Sequence, residues 1–371
     1  MSNIYLLASN PLVYCTLALL LAYILSIHIY PVINFLSRKK NLMDEPEERS
    51  SHVKKTSNLG GIGIFITFSV CLLVFAGIVG FSKVLLSQLL VVMASISILF
   101  FLGVKDDLIG LSPLKKIVGQ LAAAILVIVV SGIRIEGLEG LLGIESIPYF
   151  VSVLLTSLVF VFMVNAFNLI DGIDGLSGTL GMIASAIFGI FFLIEGRYLM
   201  ALLSLTLIGS LAAFLRFNLS KTKKLFMGDS GSLFIGFILA YQAIVFMNMD
   251  LAVAQSVLLP NKIVIVLAIL AYPILDTLRI FTVRVMQGKS PFAADRNHIH
   301  HRILQLGFSH RLATLTIALT QLNIIMTALL IGAFNIHIQL IILVSIVTLM
   351  GLLPCILKRK RNHIVWNSTD V

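Results

Sequence analysis

The chain has 371 residues, 58% of them hydrophobic and 12% charged, with a formal net charge of +10 and a mean hydropathy of +1.04. Soluble domains carry about 25% charged residues, so a water-soluble globular enzyme, a disordered chain and a disulfide-rich secreted scaffold are all excluded. Only helices and closed barrels satisfy every backbone polar group in lipid. Barrel strands alternate apolar with polar residues, whereas these apolar runs are continuous, so the expected fold class is an all-α polytopic membrane protein.

In chain order, eleven runs approach the roughly 20 apolar residues that a span needs. They fall near 11–36, 60–80, 84–103, 115–133, 148–167, 178–195, 198–219, 231–249, 262–286, 311–333 and 336–357. The first is too long for a cleaved signal peptide, and no cation precedes it. Lys83, Arg134, Arg197 and Lys262 fall in one set of loops, and the other 23 of the 27 Lys and Arg residues fall in the opposite set. The positive-inside rule then predicts an N-terminus outside and a C-terminus in the cytoplasm.

No repeat, low-complexity segment or soluble domain interrupts the spans, so residues 1–371 read as one transmembrane domain with its chemistry on cytoplasmic loops. Basic residues spread over separate loops, ending in Lys358–Arg361, suit orientation and contact with the anionic bilayer surface rather than nucleic-acid binding. Cys15, Cys71 and Cys355 lie in separate apolar runs and read as small buried hydrophobes.

Acids near hydrocarbon are costly and mark candidate sites. After the third span, Lys105-Asp106-Asp107 sets two carboxylates side by side. Each needs a cation, a metal or a proton. The pair reads either as a helix end paired with a nearby lysine or as a base or metal neighbour.

Between the fifth and sixth spans, Asn165, Asn168, Asp171 and Asp174 recur every third residue with glycines among them. On a helix they would form one polar stripe. Two acids in a segment without Lys or Arg invite an external cation or donor. Entering the eighth span, Gly228-Asp229-Ser230-Gly231-Ser232 puts small residues at a helix start. Free N–H groups there would suit an anion, Asp229 could hold a hard cation, and an N-cap by Asp229 is the simple alternative.

After the ninth span come His298, His300, His301 and Arg302. Three histidines raise the prospect of zinc, but adjacent histidines and flanking arginines fit a phosphate patch better. Asp276, inside the ninth span, reads equally as a functional group or as a partner for Arg279 or a nearby loop. The first cytoplasmic loop, with Asp44 to Pro46 and Arg49 to His52, reads equally as a cover for bound substrate or as a plain link into Gly60-Gly61.

Acids for a divalent metal, basic residues for phosphates and a membrane-surface site point to phosphoryl transfer. No Walker A segment is present. Gly-Asp-Ser-Gly-Ser echoes a serine-protease nucleophile, but a nucleophilic serine needs a partnered base. A proton-coupled transporter would show a polar mid-membrane site, often with repeats.

Together these motifs resemble the polyprenyl-phosphate N-acetylhexosamine-1-phosphate transferases over nearly the whole chain. Arg49-Ser-Ser-His52, Asp106-Asp107, Asn165 to Gly178, Gly228 to Ser232 and His298 to Arg302 carry the resemblance. Within glycosyltransferase family 4, the chain looks more like the undecaprenyl-phosphate N-acetylglucosaminyl 1-phosphate transferases than the muramyl-pentapeptide enzymes, which tend to carry three consecutive histidines. One departure is Lys55-Thr56-Ser57-Asn58, where a proline is common after the threonine.

The resemblance implies transfer of N-acetylhexosamine 1-phosphate from a UDP-sugar to undecaprenyl phosphate in the bacterial inner membrane, with UMP released. It implies Mg²⁺, or Mn²⁺ in its place, held by Asp229 and Asn168. Asp106 and Asp107 would deprotonate or orient the lipid phosphate, and Lys116 would contact phosphate. Asp174 would read the uracil, with Asn165 and Asp171 beside it. His298, His300, His301 and Arg302 would hold the diphosphate or sugar. Homodimerisation is left open.

Overall fold

The computed structural model describes residues 9–40, 42, 56–251, 259–290, 297–360 and 363–366. The first cytoplasmic loop, including Arg49 to His52, lies outside the described residues, as do Asp295 and Arg296.

Thirteen helices follow in chain order among the described residues: α1 (Pro11–Lys39), α2 (Gly60–Val79), α3 (Lys83–Ile109), α4 (Pro113–Ser131), α5 (Tyr149–Ile170), α6 (Leu176–Ile194), α7 (Tyr198–Asn218), α8 (Gly228–Met247), α9 (Lys262–Ile269), α10 (Ala271–Met286), α11 (Ile299–Gln305), α12 (His310–Leu330) and α13 (Ile336–Ile356). Ten of them are long and apolar enough to cross a membrane, or up to eleven spans if the bent pair α9–α10 counts as one. The protein is a polytopic membrane protein. Two short antiparallel strands, β1 (Leu357–Lys360) and β2 (His363–Trp366), pair after α13, so the basic tail departs from the all-α expectation.

Helix α8 is the core of the bundle: 89% of its most apolar window is buried, against 17% for α13. Small residues at its start let neighbours approach closely. A Cβ on Gly103 of α3 would collide with the Ser230 backbone, and one on Gly61 of α2 with the backbone of Gly231. Such small-residue contacts are the usual device for packing helices in lipid, where burial of apolar surface gives no drive to associate.

Further along α8, Phe237 stacks on Phe160 of α5 with ring centroids 4.5 Å apart. Interhelical hydrogen bonds add to the packing. Gln242 donates to Ser204 (2.8 Å) and accepts from Ser185 (3.2 Å), and Ser26 donates to Thr67 (2.8 Å), which donates to Ser210 (3.0 Å).

The ninth span, expected as one straight helix over 262–286, is broken at Leu270 and bent by 74°. The cause is local. Pro273 has no N–H to donate to the carbonyl four residues earlier, at Ile269. Gln321 of α12 replaces it, donating from Nε2 to the Ile269 (3.0 Å) and Ala268 (2.6 Å) carbonyls and accepting from the Tyr272 N–H (3.1 Å). Backbone groups cannot be left unsatisfied at membrane depth, so Gln321 is what permits the bend. The bend aims α10 at the histidine segment.

Candidate active site

The ends of α3, α5, α7 and α8 meet on one side of the bundle with the turn after α5 and the segment before α2. There they enclose a mostly polar cavity of about 250 Å³. Asn58, Asp107, Asn168, Asp171 to Ile173, Asn218, Phe226, Gly228 and Asp229 line it.

Its floor is built by a strand-like contact. Phe226 N–H donates to the Ser57 carbonyl (2.8 Å), and the N–H groups of Gly60 and Gly61 donate to Phe226 (2.9 Å) and Met227 (2.7 Å). Gly228 then turns with φ +70°, a left-handed conformation suited to glycine, and α8 begins.

Asp229 lies in the first turn of α8. It accepts from Lys116 Nζ at Oδ2 (2.5 Å) and from Asn168 Nδ2 at Oδ1 (2.8 Å). Lys116 also pairs with Asp106, which accepts from the Leu111 N–H (2.6 Å). Lys116 is therefore the cation shared by two carboxylates. Asp107 behaves differently. Its Oδ1 accepts from the Asp229 N–H (2.7 Å) and its Oδ2 from the Ser230 N–H (3.0 Å).

The N–H groups at the start of α8, expected to be free for an anion, are instead already taken up within the protein. The Asp107 carboxylate occupies the exposed N–H groups and caps the helix from a different span. Asp229 is not the N-cap, a position held by Met227.

The stripe expected over residues 165–174 is split, because α5 ends at Ile170. Asn165 stays on the helix and donates to Gln120 of α4 (2.7 Å), outside the cavity lining. Asn168 lines the cavity and also donates to Ser232 (3.0 Å). Asp171 caps α5 and accepts from the Ser177 hydroxyl. Burial pushes its carboxyl up to about 8 against that hydrogen bond, so it is largely neutral at pH 7.

Asp174 corrects the view that this segment lacks compensation. Its Oδ2 pairs with Lys224 (2.7 Å) and with His310 Nδ1 (3.3 Å). Burial raises the Asp174 carboxyl, and the bonds from His310 and Lys224 outweigh it, holding the group below the usual carboxylate range. Counting charge within one loop missed cations brought in by folding. In the sequence Lys224 is one among the many cations of the basic loops, and nothing in a motif singles out Asn218. Asn218 accepts from the Gly175 N–H (2.6 Å) and donates to the Leu225 carbonyl (2.8 Å), tying the two loop segments together. A polar residue at the end of an apolar span was the available signal.

The histidine segment approaches from the far side. His298 and His300 are buried, and their rings stack with centroids 5.3 Å apart at 16°. His300 lies against Gly172, where a Cβ would collide with its Nε2. Burial holds His300 well below the usual imidazole range, so it is a neutral wedge behind the cavity wall rather than a cation in it. The His301 ring packs on that of His300 at 4.4 Å. Arg302 reaches Gln305 of its own helix (3.4 Å). Asp276, His298 and His300 bring ligand atoms within 4.8 Å of one another, the closest approach to the zinc alternative raised by the sequence. Arg279, however, lies 3.4 Å from Asp276 and opposes a cation there.

The donor set around this cavity fits a hard divalent ion. Asp107, Asp171, Asp229 and Asn168 all line it and offer oxygen, the ligand atom Mg²⁺ prefers.

Residues 89–247, which hold the acid pair, the Asn168–Asp174 turn and the start of α8, match the family model described as glycosyl transferase family 4. A probable undecaprenyl-phosphate N-acetylglucosaminyl 1-phosphate transferase of Bacillus subtilis is 30% identical over 333 residues, 88% of this chain and 87% of that one. An undecaprenyl-phosphate alpha-N-acetylglucosaminyl 1-phosphate transferase of Haemophilus influenzae is 32% identical over 301 residues, 80% of each chain. A decaprenyl-phosphate N-acetylglucosaminephosphotransferase of Mycolicibacterium smegmatis is 31% identical over 291 residues, 74% of this chain and 71% of that one. The family-model match covers the spans that build the cavity, and likeness to these enzymes runs through most of the chain, so this protein belongs to glycosyl transferase family 4.

Proposed function

We propose that the protein transfers N-acetylglucosamine 1-phosphate from UDP-N-acetylglucosamine to undecaprenyl phosphate in the bacterial inner membrane, with the cavity on the cytoplasmic face. The product would start a cell-envelope polysaccharide. The observation that carries this reading is the meeting of Asp106, Asp107, Lys116, Asn168 and Asp229 at one end of the bundle, in a chain whose relatives are named for this reaction.

In the reaction, an oxygen of the lipid phosphate attacks the β-phosphorus of the donor. The bond from that phosphorus to the bridging oxygen breaks, and UMP leaves with that oxygen. One phosphoanhydride replaces another. Asp229 and Asn168, the latter through its amide oxygen, would hold Mg²⁺, which would supply charge neutralisation at the diphosphate.

Lys116, shared between Asp106 and Asp229, can lend its ammonium to a phosphate oxygen once a cation takes up part of the carboxylate charge. Asp106 is the acid of the pair that would meet the lipid phosphate, through the Lys116 it shares with Asp229, because Asp107 holds the start of α8. That phosphate is already substantially ionised, with a second pKa of about 6, so orienting it matters more than deprotonating it. Asp174 stays ionised and would read the uracil edge. His298, His301 and Arg302 would face the diphosphate or sugar.

The test uses purified protein, undecaprenyl phosphate, Mg²⁺ and a panel of UDP-sugars, with UMP release followed. UMP formed from UDP-N-acetylglucosamine, dependent on both lipid and metal, supports the reading. Release only with the muramyl-pentapeptide donor would move the protein to that branch. No release with any donor, from folded protein, would reopen transport.

A further inference from the structure

Asp276 lies just past the bend in the ninth span and is fully buried. The half-helix carrying it grips three consecutive residues of the histidine segment. Arg279 donates to the Asn297 carbonyl. The Asp276 carboxylate accepts from the Ile299 N–H at Oδ1 (2.9 Å) and faces His298 Nδ1 across 2.8 Å at Oδ2. The two backbone bonds would suffice to anchor the loop. The bond to the His298 ring does something more. A carboxylate only accepts, so Nδ1 of the ring must carry a proton. That fixes the ring's plane and leaves Nε2 as the ring nitrogen that Asp276 does not hold. The fixed ring stacks on His300, which is wedged against Gly172 in the cavity wall.

We propose that Asp276 is a positioning residue that acts through His298, setting the ring's tautomer and orientation for the diphosphate of the donor. This rests on the transferase reading above. Partners behind metal-bound histidines contribute roughly 10- to 100-fold, a loss of that order is expected here, and exchanging the carboxylate for an amide favours the wrong tautomer.

A double-mutant cycle decides it. Asp276→Asn, His298→Gln and the double variant are compared by steady-state UMP release per folded protein. Each single change should lower kcat/KM for UDP-N-acetylglucosamine by roughly 10- to 100-fold, with KM for undecaprenyl phosphate unchanged. The double variant should be no worse than His298→Gln, because interacting residues are non-additive. Asp276→Glu, which keeps the charge, should recover part of the loss.

Additive losses, or losses equal for both substrates alongside a lowered Tm, would reduce Asp276 to a loop anchor and overturn the proposal. Stoichiometric zinc in the purified protein, lost in Asp276→Asn, would also overturn it and make the three side chains a metal site. Histidine ¹⁵N spectra of the unaltered protein read the tautomer without turnover or mutation. An Nε2–H ring at His298 would refute the proposal even if Asp276→Asn fails to fold. An unaltered protein that releases no UMP sinks the transferase reading instead, and the tautomer measurement still decides the role of Asp276.

Discussion

Asp107 of α3 caps α8 across the bundle: its two carboxylate oxygens accept the N–H groups of Asp229 and Ser230 at 2.7 and 3.0 Å. The adjacent acids therefore divide their work. Asp106 is tied to Lys116, while Asp107 holds the segment that carries Asp229. Asp107→Asn can accept at only one oxygen. Loss of a hydrogen bond to a charged group costs about 1.5–3 kcal/mol, so this variant should lower Tm as well as turnover. Asp106→Asn keeps an oxygen for the Leu111 N–H and loses only its charge opposite the shared Lys116, so it should lower turnover with a smaller Tm loss. Thermal unfolding in detergent, paired with UMP release, checks this; a Tm loss in Asp106→Asn alone would reverse the assignment.

Asp229→Asn removes a candidate metal ligand, keeps one oxygen for its hydrogen bonds and leaves the apolar packing of α8 intact. Metal stabilisation of transferring charge is worth several kcal/mol, so turnover should fall on the order of 100-fold or more while the protein stays folded. A magnesium titration reads the outcome. Near-normal rates at saturating Mg²⁺ would count against the ligand role.

Asp174 should set base choice and contribute a pH-dependent share of stability. Its folded-state pKa lies below the ordinary carboxylate value of about 4. The stabilisation is thus fully present above that value and is lost as pH falls through the lower, folded value. Asp174→Asn should be less stable at neutral pH and should flatten that acid limb, as read by unfolding scans from pH 6 downward. In donor competition it should narrow the preference for uridine over cytidine; an unchanged preference would remove Asp174 from base reading.

Gln321→Leu leaves the Ala268 and Ile269 carbonyls without their donor. A buried unsatisfied group costs about 1–3 kcal/mol, so Tm should drop. Adding Pro273→Ala restores an N–H that can reach the Ile269 carbonyl once the helix straightens. The double variant should regain stability yet lose activity, because straightening moves Asp276 away from the histidine segment. Recovery of both would show that the bend has no part in the site.

Gly103→Ala forces a Cβ into the Ser230 backbone. Backbone cannot move aside as a flexible side chain can, so α3 and α8 must separate. Overpacking of this kind typically costs about 1–3 kcal/mol, and both Tm and turnover should fall. Gly77→Ala, with open space around its Cβ position, is the matched control and should change neither.

The sequence by itself determined the membrane class, the placement of nine spans to within three residues (the third helix runs six residues further, to Ile109, and carries Asp106 and Asp107) and several of the segments that line the cavity. Those features are local: a span is a run of apolar residues, and a costly acid at its end is conspicuous because lipid offers it no partner. Pro273 carried the break in the ninth span, but a proline alone does not say whether a helix stays straight. That depended on Gln321, some fifty residues away, meeting the freed carbonyls.

The division between Asp106 and Asp107 was likewise decided in three dimensions, since the two are chemically identical neighbours until α8 presents its N–H groups to one of them. The same holds for Asp174, which seemed uncompensated until Lys224 and His310 folded against it, and for His300, whose burial behind Gly172 no motif announces. Hydrophobic patterning is written along the chain. Charge compensation and hydrogen-bond satisfaction are properties of neighbours in space, and only the tertiary structure chooses those neighbours.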